Sequence, residues 1–109
     1  MEQTHEYRRD AHRVHLIISH LIWCPRRRTP VLVGPVAARC RELIEGKCAE
    51  TGWEVLALAI QPEHLHLFVR TWPSDSAAEV VKECTGITSS HLRQAFPHLL
   101  KLASTWTRS

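Results

Sequence analysis

The stretch WEVLALAIQPEHLHLFVRTW, residues 53–72, decides how this chain folds. Its apolar residues fall into two runs, at about 53–60 and 64–71, which are separated by Gln61, Pro62 and Glu63. Proline favours turns and is excluded from the middle of a sheet. The stretch therefore predicts two consecutive strands joined by a tight turn.

Two histidines one residue apart, His64 and His66, distinguish the second of these strands. Because strand side chains alternate, both histidines project from one face, while Leu65, Leu67 and Val69 project from the other and would pack on helices. Two residues of strand span roughly 6.5–7 Å, so both imidazoles can reach one ion at roughly 2 Å from each nitrogen. The spacing alone leaves two interpretations open, which are half of a metal site and two partly exposed histidines on a sheet face.

The segment RVHLIISHLIWC (13–24) predicts a further strand. It is almost continuously apolar, rich in β-branched residues, and ends at Pro25. A run of this kind is typical of a central strand that is buried on both faces.

Two other segments predict amphipathic helices. The first has Pro35 at a first-turn position and closes at Gly52. The second spans about 76–96 and opens with an S-x-x-E capping box formed by Ser76 and Glu79. The apolar stripes expected to face the sheet are Val36, Cys40, Leu43, Ile44 and Cys48 in the first helix, and Val80, Cys84, Ile87, Leu92 and Phe96 in the second.

The resulting order, β-α-β-β-α, is one strand short of the ferredoxin-like pattern βαββαβ. The closing residues STWTRS (104–109) resemble the beginning of that strand. We therefore expect one α+β domain over residues 1–109: a ferredoxin-like (split βαβ) antiparallel sheet with two helices on one face and a truncated last strand.

Composition excludes several classes of protein. The 109 residues are 44% hydrophobic and 23% charged, as in ordinary soluble domains. No apolar run approaches the roughly 20 residues that span a bilayer, and the polar N-terminus lacks the apolar core of a secretory signal. We therefore expect a cytoplasmic protein with no membrane partner.

The four cysteines, Cys24, Cys40, Cys48 and Cys84, raise the question of disulfides or zinc. No C-x-x-C spacing occurs and nothing indicates an oxidising compartment. The last three fall on the helical stripes, where a free thiol behaves as a small hydrophobe. We therefore expect reduced, mostly buried thiols.

The charge distribution is mildly basic. The net charge is +3 with histidine neutral, and the isoelectric point is about 8.9, which is compatible with a polyanionic partner. Arg26, Arg27 and Arg28 form a basic run just after the first predicted strand. Such a run is either a solvated loop or a binding site.

The chain resembles the single-tyrosine HUH transposases of insertion sequences, the IS200-like transposases, in four segments: HLIWCPRRR, QPEHLHLFV, VVKECTGITSSHLRQAFP and the final WTRS. These segments occur in the family's order and cover essentially the whole chain. The resemblance implies a ferredoxin-like sheet with the histidine pair on a central strand. It also implies a homodimer, and single-stranded hairpin DNA from the element's end as substrate.

The resemblance further implies metal-dependent strand transfer. His64 and His66 match the two histidine ligands of a divalent metal, Mg²⁺ or Mn²⁺, which stabilises charge on the phosphate. In the family, a tyrosine on a C-terminal helix attacks that phosphate, leaving a 5′-phosphotyrosine and a free 3′-hydroxyl. The expected DNA contacts are Arg26, Arg27 and Arg28 and, on the polar side of the second helix, Lys82, Ser89, Ser90 and Arg93; a solvated helix face is the alternative for the last four.

The chain departs from the family's pattern at several positions. Its one tyrosine, Tyr7, lies near the N-terminus, whereas the family's nucleophile follows the last strand, so no catalytic residue and no third metal ligand carry over. Glu63 stands where aspartate is common. Thr85 and Gly86 stand where Lys-Gly is common, which puts one phosphate contact in doubt. We therefore expect a chain that lacks the catalytic helix and is inactive alone.

The sequence is compatible with two functions. The first is a transposase, as a fragment or a decayed copy of an active enzyme. The second is a non-catalytic nucleic-acid-binding remnant or regulator. An RNA-recognition module shares the strand order, but such modules stack bases on aromatic side chains, and the histidine strand supplies only Phe68. Zinc hydrolysis by the histidine pair lacks a visible third ligand.

The sheet is also expected to expose an apolar surface. Two helices can cover only one face of it, while the first strand is apolar on both. An uncovered apolar face usually indicates association, and the resemblance supplies two candidates for the cover, a tyrosine helix and a partner subunit.

Overall fold

A computed structural model describes residues 16–102 and 105–107 of the chain. The order predicted from the sequence is confirmed, with element ends within a few residues of those expected. The elements are β1 (Ile17–Trp23), α1 (Gly34–Thr51), β2 (Glu54–Gln61), β3 (His64–Thr71) and α2 (Ala77–Ala95), with short 3-10 helices at Arg26–Arg28 and Pro97–Lys101.

The three strands form one antiparallel sheet in the order β1-β3-β2. The α+β prediction of an antiparallel sheet with two helices is thereby confirmed. β3 lies between β1 and β2, and β1 has residues 105–107 beside its end on the other side. The prediction that β1 is buried on both faces is wrong. Ile18 and Ile22 of β1 are 59% and 55% exposed, because both helices pack on the opposite face of the sheet.

The alternation of β3 determines which face of the sheet is the core. Leu65, Leu67 and Val69 are fully buried, and they pack with residues of both helices in a single apolar cluster. Leu67 lies opposite Leu21 on one side and Leu58 on the other. A slip of one residue would turn all of these side chains to solvent, so burial fixes the register that places the histidines.

The first helix begins and ends where its sequence dictates. Pro35 occupies the first turn, where its missing N–H costs nothing. Gly52 ends the helix in the left-handed region at φ 84°, and the N–H of Trp53 donates to the carbonyl of Cys48 at 2.9 Å, which satisfies a carbonyl of the last turn. Four of the five predicted stripe residues are buried and Leu43 is partly so: Val36, Cys40, Ile44 and Cys48.

The second helix corrects one predicted core position. Ser76 caps it as expected, accepting a hydrogen bond from the N–H of Glu79 at 3.1 Å. The predicted core residue Ile87 is only partly buried, and Thr88 is fully buried instead. The Thr88 hydroxyl donates to the carbonyl of Cys84 at 2.7 Å and accepts from Nε1 of Trp106 at 2.9 Å. A buried hydroxyl that both donates and accepts a hydrogen bond is tolerated in a core. A prediction of the buried stripe from apolar residues alone therefore misses Thr88.

Residues 105–107 lie along the end of β1. Trp106 forms an antiparallel bridge with Pro25. The N–H of Thr107 donates to the carbonyl of Cys24 at 2.9 Å, and the N–H of Arg26 donates to the carbonyl of Thr105 at 3.0 Å. These bonds have the pairing of an edge strand beside β1, as the sequence predicts for STWTRS; residues 104, 108 and 109 lie outside the described part.

The cysteines behave as core residues. Cys40, Cys48 and Cys84 are buried with free thiols, and Cys24 is partly buried. Burial raises the pKa of the Cys40 thiol to about 12, and a hydrogen bond to Cys48 together with burial raises the pKa of Cys84. Because the thiolate is the reactive and metal-binding form, Cys40 and Cys84 are unsuited to either role at neutral pH.

None of the helices in the described ranges has the length and apolarity needed to cross a membrane.

Candidate functional site

The histidine pair lies on the open face of the sheet. His64 and His66 project from β3 on the side opposite the helices, and both are partly buried. Their ring centroids are 4.9 Å apart, with an angle of 78° between the planes. Both imidazoles therefore share one face, as predicted, and their binding of one ion stays a prediction.

Each imidazole has its Nδ1 atom engaged by a neighbour. Nδ1 of His64 is 3.1 Å from Oε1 of Glu63, the last residue of the turn before β3. Nδ1 of His66 is 2.9 Å from Nε2 of His20 on β1. Engagement at Nδ1 fixes each ring and leaves the Nε2 atom of both histidines available to a ligand.

His20 is a site residue that sequence reasoning missed. It belongs to the apolar segment of the first strand, and only the register between β1 and β3 brings it to the pair. Ile22 lies opposite His66 and His20 lies opposite Phe68, so His20 and His66 are diagonal neighbours, which long side chains can bridge. The alternation of β1 predicts on which face His20 lies. Identifying His66 as its partner requires the register between β1 and β3.

The opposite flank of the pair is lined by small side chains. Ala59 and Ala57 of β2 lie opposite His66 and Phe68, and both alanines are exposed. Short methyl side chains leave the space above the imidazoles open on this side. At the far end of the face, Arg70 donates from Nε to Oε1 of Glu54 at 3.0 Å, a cross-strand pair that engages its guanidinium.

The pair fits part of a metal centre. Two neutral imidazoles with oriented Nε2 atoms suit a divalent first-row metal. Over residues 16–102 and 105–107, no group of three or more His, Cys, Asp or Glu side chains is arranged to hold a metal ion. The remaining ligands of a complete centre would therefore come from elsewhere, such as water or substrate oxygen.

The open face is apolar around the histidines, as expected. Ile18, Ile22 and Phe68 are 59%, 55% and 43% exposed, and they lie on the same face as His66 because their positions pair across β1 and β3. Exposed large side chains that form a continuous surface usually mark an interaction site.

The three arginines after β1 form a strained turn. Arg27 and Arg28 have φ angles of 58° and 55°, in the left-handed region that costs a residue with a Cβ about 1–2 kcal/mol. Two backbone hydrogen bonds hold the turn: the N–H of Arg28 donates to the carbonyl of Pro25 at 2.8 Å, and the N–H of Thr29 donates to that of Arg26 at 3.2 Å. Strain held by local bonds is common at functional sites.

A cleft of about 740 Å³ brings together three of the predicted DNA-binding residues, Arg28, Lys82 and Ser89. It lies between the end of β1 and α2, and the indole side chains of Trp23 and Trp106 contribute to its walls. Ile22 lines the cleft as well and pairs with His66 across the sheet. The cleft therefore borders the histidine face.

The other predicted contacts lie outside this cleft. Arg26 is partly buried, and Arg27 and Ser90 are exposed. Arg93 donates from Nη1 to the carbonyl of Leu102 at 3.1 Å and that of Leu99 at 3.4 Å. These bonds give Arg93 a structural role at the C-terminal end of α2; a DNA contact by its guanidinium stays a prediction. Tyr7 lies outside the described residues.

Comparison with known proteins identifies relatives. The family model described as "Transposase IS200 like" matches residues 13–109. The ISDra2 transposase TnpA of Deinococcus radiodurans is 33% identical over 86 residues, which are 79% of this chain and 61% of that protein. The crystal structure of a candidate transposase from the same species superposes with a TM-score of 0.82 at 29% identity, over 88% of this chain and 76% of that one. The chain thus spans about three fifths of the length of the curated relative it matches.

Proposed function

The chain belongs to the IS200-like transposase family, and from that premise we propose that it acts in DNA transposition of the HUH type. Its substrate in this proposal is single-stranded hairpin DNA at the ends of an insertion sequence. The observation that carries the proposal is the pair His64 and His66, whose rings lie 4.9 Å apart on the open sheet face beside a cleft with two cationic side chains.

The metal role of the pair is part of this proposal. His64 and His66 would hold Mg²⁺ or Mn²⁺ through their Nε2 atoms, and Glu63 orients the first of these rings by its contact at Nδ1. When bound, a divalent metal supplies a Lewis acid that polarises the scissile phosphate. Ala57 and Ala59 leave room for the sugar-phosphate backbone on the β2 side of the pair.

The DNA role rests on position and charge. Arg28 and Lys82 would pair with backbone phosphates at the cleft, with Ser89 as a hydrogen-bonding neighbour. The exposed Arg27, together with Arg26, Ser90 and Arg93, completes the proposed contacts. Because Ile22 borders both the cleft and the histidine face, one strand of DNA can cross from the phosphate contacts to the metal site.

Covering of the open face is also proposed. Ile18, Ile22 and Phe68 form the apolar part of that face, and a second copy of the chain, in a homodimer of the kind the family implies, would remove it from water. Sedimentation of the purified chain tests this part, since a monomer at all concentrations would contradict it.

A non-catalytic DNA-binding regulator is the second candidate. The sequence holds one tyrosine, Tyr7, which does not match the position of the family's nucleophile. We therefore expect the 109-residue chain alone to bind hairpin DNA without cutting it. In this candidate function, the chain competes with an active relative for the same hairpins.

The experiment that tests the proposal is a combined binding and cleavage assay. The purified 109-residue chain is mixed with a 5′-labelled single-stranded hairpin from its own element's end and Mn²⁺, and the products are separated on native and denaturing gels. The expected result is a shifted native band without a nick. A metal-dependent nick with a covalent protein–DNA band would show that a nucleophile is present and overturn the expected inactivity. Absence of any shift would contradict DNA binding.

Substitutions in the cleft test the DNA contacts individually. Replacing Arg28 or Lys82 with alanine is expected to weaken binding to the hairpin. Each lost phosphate contact should also lower the slope of log K against log salt concentration by about 0.7 for a single strand. Fluorescence anisotropy over a range of KCl concentrations measures both quantities.

The matched control is Arg39→Ala. Arg39 is exposed on α1, where it pairs with Glu42 at 3.1 Å, and its loss changes the net charge by the same amount. We expect this variant to bind DNA with nearly the affinity and salt slope of the unmodified chain. Equal losses in all three variants would mean that net charge, and not the cleft, governs binding.

A further inference from the structure

We propose that His20 is a positioning residue that fixes the tautomer and the ring orientation of His66, so that the Nε2 atom of His66 is presented to the metal. This inference rests on the proposed metal role of His66. It concerns a side chain on a different strand from the histidine pair.

The contact that carries the inference is a bond between two imidazoles. Nε2 of His20 and Nδ1 of His66 are 2.9 Å apart, the usual length of an N–H hydrogen bond. One ring must donate and the other must accept, so the contact specifies complementary tautomers. If His66 is to bind a metal through Nε2 as a neutral ring, its proton is on Nδ1 and His20 accepts it.

The same arrangement occurs on the other histidine of the pair. Nδ1 of His64 is 3.1 Å from a carboxylate oxygen of Glu63, and a carboxylate can only accept. Histidine ligands of metals almost always donate their second N–H to such a partner, which fixes the ring and increases its basicity. Glu63 provides this acceptor from the turn, and His20 provides it from the neighbouring strand. The Nε2 atoms of His64 and His66 are therefore left to bind the metal on the open face.

His20 is itself held in place. Its ring lies against Phe68, with centroids 4.6 Å apart and a tilt of 42°, and Phe68 is the residue directly opposite it in the sheet. This contact restricts an otherwise exposed imidazole to the side of β3 on which His66 lies. The role requires an acceptor at this position, which glutamine can supply and alanine cannot.

The test compares His20→Ala with His20→Gln in the 109-residue chain. Long-range ¹H–¹⁵N correlation spectra of the imidazoles, recorded without metal at alkaline pH, report the tautomer of His66. Titration calorimetry with Mn²⁺ reports metal affinity. We expect His66 to carry its proton on Nδ1 in the unmodified chain and in the glutamine variant. In the alanine variant we expect the Nε2–H form and a roughly tenfold loss of affinity, at the lower end for an outer-shell partner because His20 is exposed.

His98→Ala is the matched control, because His98 is exposed beyond the end of α2 and should alter neither measurement. If His66 carries its proton on Nε2 in the unmodified chain, or if the alanine variant keeps both the tautomer and the affinity, the inference is overturned while the metal site stands. If the unmodified chain binds no Mn²⁺, the proposed metal role fails, and the tautomer spectra still decide whether His20 orients His66. Circular dichroism of each variant confirms that it is folded.

Discussion

Replacing His66 with alanine is expected to lower the affinity of the chain for Mn²⁺ by more than about 100-fold. Loss of a residue that hydrogen-bonds a metal ligand costs roughly 10–100-fold, and loss of one of the two proposed protein ligands should cost more. His64 alone would remain, oriented by Glu63 at 3.1 Å but unable to chelate. Titration calorimetry at a pH where both imidazoles are neutral measures the change, and His64→Ala should give a similar loss.

The loss should be specific to the histidine pair. His66 is only partly buried on the open face, so its removal leaves the apolar core intact and the far-ultraviolet circular dichroism unchanged. His98→Ala removes another imidazole from an exposed position and should bind Mn²⁺ as the unmodified chain does. Unchanged binding by both His64→Ala and His66→Ala would mean that the metal binds elsewhere or that binding is non-specific.

The second large effect is expected in the core of the sheet. Leu67 is fully buried at the middle of the central strand, opposite Leu21 and Leu58. Leu67→Ala should lower the free energy of unfolding by about 2–5 kcal/mol, through lost burial and the cavity that remains. Because small domains have about 5–15 kcal/mol in total, urea denaturation should show a large shift of the midpoint.

Phe68→Ala provides the comparison for this prediction. Phe68 is the next residue of the same strand and has a larger side chain, but it is 43% exposed on the histidine face. In the monomer, at protein concentrations below those at which the proposed dimer forms, its replacement should cost about 1 kcal/mol or less, as surface substitutions usually do. Equal losses in the two variants under these conditions would mean that Leu67 and Phe68 do not lie on a buried and an open face.

Most of the fold follows from local patterns in the sequence. The two-residue alternation of HLHLFV sets the faces of β3, and Pro35, Gly52 and Ser76 mark helix ends because their backbone and capping preferences are local. The burial of β1 on both faces is the prediction that fails. An apolar segment shows what a strand can bury, whereas the elements that cover each of its faces come from distant parts of the chain.

The same distinction separates the predicted from the unpredicted parts of the site. His64 and His66 are one residue apart, so their proximity follows from strand geometry alone. His20 is 46 residues from His66 along the chain, and their contact depends on which residues pair across β1 and β3. The burial of Thr88 is not predicted for a related reason. Its hydroxyl accepts a hydrogen bond from the indole of Trp106, which lies in the last described segment, outside the local pattern of the helix.

The left-handed turn at Arg27 and Arg28 has a consequence for the thermodynamics of the proposed DNA binding. The two unfavourable backbone conformations cost about 1–2 kcal/mol each. The free energy of folding compensates this cost before any DNA is bound. Hydrogen bonds from Arg28 and Thr29 hold the backbone from which the guanidinium groups project, so binding a polyanion requires less ordering of the chain. Arg27→Gly would relieve the backbone strain and would also restore the conformational freedom that the turn removes. A change that increases the stability of the fold at this turn would therefore increase the entropy cost of binding.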